Sequence, residues 1–151
     1  MTDHNAHART ILDETCYAVL GTADADGTPW ATPVWFAHDD LDRVYWMSWP
    51  GSRHSQLIER RPDVAIAVFD SHAVPNEGTG FYATAQARQC PDEQLDDGLR
   101  ILTRRSLAQG IDEVTRERVT GESRLRVYVA EITEAWVLDQ DADVDQRVPV
   151  R

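Results

Sequence analysis

Arg53 and His54 follow Gly51 and Ser52 directly in the stretch Trp49-Pro50-Gly51-Ser52-Arg53-His54, and their neighbours place them at the start of a short helix. The Ser52 hydroxyl is suited to cap free N–H groups of a first turn, and Pro62 cannot continue the helix. A helix start offers unpaired N–H donors and partial positive charge. A guanidinium and an imidazole added there make a site suited to a phosphate. The alternative is a solvated basic helix end between two core strands.

The elements that must position this pair lie on either side. Val44–Ser48 reads as a strand leading into the turn; in the helix, Leu57 and Ile58 face inward while Glu59, Arg60 and Arg61 face water. Val64–Phe69 is a nearly continuous apolar run, which predicts a central strand covered on both faces. Upstream, a weak helical pattern over Ala6–Glu14 precedes a strand at CYAVLGTA and a turn at Asp24–Gly27, whose Asp-Gly pair supplies positive φ for a hairpin. The returning strand, Thr28–His38, places Trp30, Thr32, Val34 and Phe36 on one face and Ala31, Pro33, Trp35 and Ala37 on the other. Pro33 has no N–H for a ladder. It marks a bulge, an edge, or a place where a ligand meets the backbone.

Downstream, Ser71–Gly80 is a loop by composition and Phe81–Gln89 a fifth strand. A helix is predicted over Asp92–Arg105, a looser one over Ile111–Val119, and a sixth strand over Leu125–Ile132 that Trp136–Leu138 extends. Residues 139–151 read as a frayed acidic tail. The sum is a mainly β, six-stranded antiparallel barrel with a few flanking helices, one domain over 1–138 followed by the tail. Trp30, Trp35, Trp46 and Trp49 cluster on strands apolar on both faces, so a homodimer is expected to cover one outer face.

Composition removes several function classes. A net charge of −11 and a pI near 4.7 oppose nucleic acid and anionic membrane as partners. All fifteen basic residues are arginine, which excludes a lysine nucleophile or Schiff base from this chain. Cys16 and Cys90 are in no Cys-x-x-Cys arrangement and read as buried or free thiols, a pairing between them being left open. With neither a long apolar run nor a basic, apolar leader, the expected location is the cytoplasm. No metal site is expected: Val144 replaces the glycine of a calcium loop in Asp139–Asp145, and His4 and His7 have no third ligand nearby. Serine-hydrolase, P-loop and dinucleotide-fold motifs are absent.

The order of elements, with Trp30–Phe36, Met47–Ile58 and Phe81–Arg88, resembles the pyridoxamine 5′-phosphate oxidase-like family of flavin-binding split barrels, over about Tyr17 to Arg88. Its most specific piece is GSRHSQLIERRPDVAIAVF. The resemblance implies a flavin-dependent oxidoreductase with FMN, or in some branches the deazaflavin coenzyme F-420, held at a homodimer interface. It implies phosphate contacts from Arg53 and His54, a contact from Ser48 to phosphate or ribityl chain, and Thr32, Pro33 and Val34 against the ring system with Met47 beside them. It names no catalytic side chain. A small-molecule substrate or reduced nicotinamide donor would be the partner, and a non-catalytic flavin or haem carrier or sensor is the other class. A glutamine near Gly78 and Thr79 and an arginine signature around Trp136, both found in true pyridoxamine phosphate oxidases, are missing, so the founding activity is not expected.

Overall fold

Strand alternation, rather than length of apolar runs, builds this chain. The computed structural model describes residues 2–151, which form α1 (His4–Glu14), β1 (Tyr17–Ala23), β2 (Pro29–Asp39), β3 (Arg43–Ser48), α2 (Arg53–Arg60), β4 (Asp63–Val68), β5 (Phe81–Gln89), α3 (Leu95–Ala108), β6 (Arg126–Leu138) and β7 (Arg147–Val150). The antiparallel sheet runs β3-β2-β1-β4-β5-β6-β7, and a further pairing of β3 with β6 closes the first six strands into a barrel. The expected six-stranded barrel is therefore present. β7 is an addition to it.

Inside the barrel, alternate residues of the strands meet: Leu20, Phe36, Trp46, Ile66, Phe81 and Tyr128 share one buried cluster, joined by Ile11 and Leu12 of α1 and Ile58 of α2. A second cluster lies outside the wall, where Ala37, Tyr45, Val127 and Val129 pack under Leu95, Ile101 and Leu102 of α3. The helix comes close because Gly98 faces Tyr45; a Cβ there would stand 3.3 Å from that ring. The opposite flank, formed by β1, β4 and β5, carries no helix. Shallow grooves of about 790 and 450 Å³ cross it, both lined by Gly21, Ala65 and Thr84.

Several expectations change. Val64, Ile66 and Val68 of β4 are buried, but Ala65 is exposed and Ala67 partly so; the apolar run is covered on one face only. Trp46 is wholly buried in the barrel, and Trp35 is partly buried beside α3, donating its Nε1–H to Gln109 Oε1 at 2.7 Å. Only Trp30 and Trp49 of the expected surface cluster are exposed. Within Ile111–Val119 only a short 3-10 turn forms, Arg116–Val119; Val114 is instead pinned in extended chain by a bond from its N–H to Thr103 Oγ1. The frayed tail is ordered at its end, since Arg147–Val150 pairs with Ala135–Leu138 and buries Val150. Among the described residues no helix is long and apolar enough to cross a membrane.

Candidate functional site

The barrel is split where β2 leaves β3. Their pairing runs only from Phe36↔Trp46 to Asp39↔Arg43, so Pro29–Trp35 has a strand neighbour on the β1 side alone. Beyond Trp46, β3 continues with Met47 and Ser48 paired to Val127 and Arg126 of β6. Pro33 thus sits on an open strand edge, opposite Val19, where its missing N–H leaves no ladder bond unmade.

The start of α2 stands at this seam. A Cβ on Gly51 would meet the Trp49 ring, so the ring's close approach over this turn depends on glycine. Ser52 caps the helix by accepting from the Ser55 N–H at 3.4 Å and donates to Ser55 Oγ at 2.8 Å. Ser48 Oγ and His54 Nε2 are 2.8 Å apart, tying the end of β3 to the first turn. Burial pushes the His54 imidazole below its ordinary pKa, which favours the neutral ring. A bound phosphate would act in the opposite direction. The Arg53 guanidinium lies 4.2 Å from the centre of the Trp30 ring and makes no ion pair among the described residues. No such separation from an acid holds for several other arginines, which are paired with Asp or Glu.

Of the sequence-derived site residues, Ser48 and His54 are in direct contact, and Arg53 adjoins them on the helix. Thr32 and Val34 point to the inner side of β2, Val34 being buried, while Pro33 is exposed on the outer side. At Thr32–Val34 it is therefore the strand edge, more than the side chains, that faces the seam. Met47 packs with Trp35 and Leu99 against the cluster under α3. It lies at the same level of the split but turns away from it.

Sequence reasoning missed Arg126. It is the cross-strand partner of Ser48, which puts both side chains on one face of the ladder. Its guanidinium is held by the carbonyls of Ser123, Leu125 and Gly121 at 2.5, 2.7 and 2.9 Å. No carboxylate neutralises it, so the end of β6 adds positive charge beside the seam. No local pattern marks it; only the β3–β6 register does. Two residues on, Tyr128 stacks on Trp46 with ring centres 5.9 Å apart, and burial raises its pKa against the opposing pull of a hydrogen bond with Ser55. Among the described residues no group of three His, Cys, Asp or Glu side chains is placed to hold a metal ion.

A corner of this kind, with an open strand edge, two hydroxyls, an imidazole and two arginines that pair with no acid, carries the donors and the charge to bind an anionic group. Residues 5–139 match the family model described as Pyridoxamine 5′-phosphate oxidase. No curated protein sequence matches the chain. Among solved structures, an F420 reductase is 20% identical, covering 84% of this chain and 94% of its own at a TM-score of 0.59. An FAD-binding protein from Mesorhizobium loti is 16% identical over 91% of this chain and 94% of its own, with a TM-score of 0.63. A haem-binding protein from Mycobacterium smegmatis is 15% identical with a TM-score of 0.75; it covers 99% of this chain, which spans 59% of that longer one.

Proposed function

Because the chain belongs to the pyridoxamine 5′-phosphate oxidase family, we propose that it is an FMN-dependent oxidoreductase acting as a homodimer on a small molecule other than pyridoxamine phosphate. The observation that carries this is the seam: an unpaired β2 edge facing a helix start with Ser48, Arg53 and His54. When bound, FMN supplies the hydride chemistry, and the protein supplies position, polarity and exclusion of water. Arg53 would give the phosphate a charge-assisted hydrogen bond, and Ser48, engaged at Nε2, would orient the His54 ring so that its Nδ1–H edge is left to donate to the anion. The edge at Thr32–Val34 would lie along the ring system. The bare flank of β1, β4 and β5, small and apolar at Gly21, Ala65 and Ala67, is the surface a second copy would cover. The cytoplasm is its proposed location.

A second reading, coenzyme F-420, is favoured by one specific observation: Arg126 beside Ser48 adds a cation that a single phosphate does not require. Titration of cofactor-free protein with FMN, F-420 and haem decides among them. Tighter binding of FMN is expected. Tighter F-420 binding would replace the cofactor, and binding of haem alone would replace the enzyme with a carrier. Bleaching of the bound flavin by NAD(P)H separates an oxidoreductase from a sensor.

A further inference from the structure

A cleft of about 720 Å³ lies on the other side of Pro33, bounded by α1, the start of β1 and the segment 69–79. Its size is that of a small-molecule site. Two aromatic side chains stand in it with much of their surface bare, Tyr17 at 59% and Phe69 at 49% exposure, beside the apolar surfaces of Ile11 and Val19.

Apart from the imidazoles of His7 and His72, the ionisable carboxylate and guanidinium groups in this cleft are all acidic. Glu14, Asp70 and Glu77 line it, and no arginine does. Glu14 and Glu77 make no ion pair among the described residues, and Asp70 has only His72, at 3.4 Å. Arg105 reaches the end of α1, but its guanidinium is engaged by the carbonyls of Leu12, Asp13 and Thr15 at 2.6 to 2.9 Å. His7 also lines the cleft, with its Nε2 buried and without a hydrogen-bond partner. Carboxylates left unneutralised around exposed aromatic faces suit a cation that can use both, by charge and by contact with the rings. A phosphate would be repelled.

We propose that this cleft binds a small aromatic cation, a protonated or quaternary amine attached to a planar ring. As the substrate class of the enzyme this rests on the flavin reading above, through the shared Pro33; as a cation site it stands without it.

Cys16 supplies the reporter, since it lines the cleft and is exposed, whereas Cys90 is buried. The rate of Cys16 alkylation by iodoacetamide is measured at pH 7 with millimolar 2-phenylethylamine, 2-phenylethanol or 3-phenylpropionate. The amine is expected to slow alkylation at least fivefold, the alcohol less, and the carboxylate not at all. In the double variant Glu14→Gln/Glu77→Gln, protection by the amine, taken as the ratio to that variant's own rate in buffer, should fall at least fivefold, with the urea midpoint unchanged. Equal protection by amine and carboxylate, or by none of the three, overturns the proposal. So does protection that grows with protein concentration in buffer alone, which would make a second copy the occupant. FMN is titrated into the same two proteins. Failure of FMN to bind with amine protection intact removes only the flavin reading; FMN binding without amine protection removes only the cleft.

Discussion

The Ser48 hydroxyl and the His54 Nε2, six positions apart in the chain, meet at 2.8 Å and join the last residue of β3 to the first turn of α2. The tie turns a strand end and a helix start into one rigid corner. An anion bound at this corner would meet both.

Arg53 should matter more than its neighbours on the same helix. Arg53→Ala is expected to weaken FMN binding by about 1.5 to 3 kcal/mol, the worth of a hydrogen bond to a charged group. Arg60→Ala and Arg61→Ala should change it far less, since Arg60 ends the helix and Arg61 donates to the Asp24 carbonyl. Equal losses in all three, by fluorescence titration, would remove the helix-start phosphate site.

His54 predicts a pH dependence in the ligand-free protein. Its folded pKa is lowered by burial, so below the unfolded value of about 6.5 the unfolded chain binds more protons than the folded one. Stability linked to this group is therefore complete above about pH 6.5 and declines as pH falls toward and through the lowered folded value. Urea midpoints of wild type and His54→Gln should converge with falling pH. A constant difference from pH 7.5 to 5.5 would mean that His54 is not buried neutral.

Trp46 is a core residue, and its variants should say so. Trp46→Ala is expected to destabilise by about 3 to 5 kcal/mol. Trp46→Phe should lose much less, because it keeps the ring against Tyr128 and removes an indole N–H that is buried without a partner. Denaturant unfolding measures both, and similar losses would contradict this packing.

The dimer is tested on the bare flank. Ala65→Glu places a charge between the two grooves and should yield a folded monomer in sedimentation, where wild type is expected to sediment as a dimer at micromolar concentration. A monomeric wild type would remove the dimer outright.

What the sequence made legible was local. The Gly51 turn, the Ser52 cap and the stop before Pro62 define α2 within a dozen positions, and the Asp24–Gly27 turn sets the hairpin, with φ of 89° at Gly27. What it hid depended on distant pairing. β6 reads as two pieces because Thr133 and Glu134 are both exposed; the cause is a bulge, where Thr84 and Ala85 are consecutive on β5 but pair with Glu134 and Ile132. The strand at Arg147–Val150 is four residues behind an acidic stretch, too short to announce a period. Composition likewise cannot say that Trp46 points inward and Trp30 outward, nor that Arg126, 78 positions from Ser48, lies beside it.

Arg105 has a consequence for the order of assembly. The three carbonyls it holds belong to the C-terminal end of α1, and Ala8, Ile11 and Leu12 pack into a barrel that β6 closes. An eleven-residue helix has little stability by itself in water. During synthesis, α1 therefore emerges some ninety residues before the guanidinium that anchors it, and still further ahead of the β3–β6 ladder. It must wait, unfolded or fleetingly helical, until nearly all of the chain described here has been made.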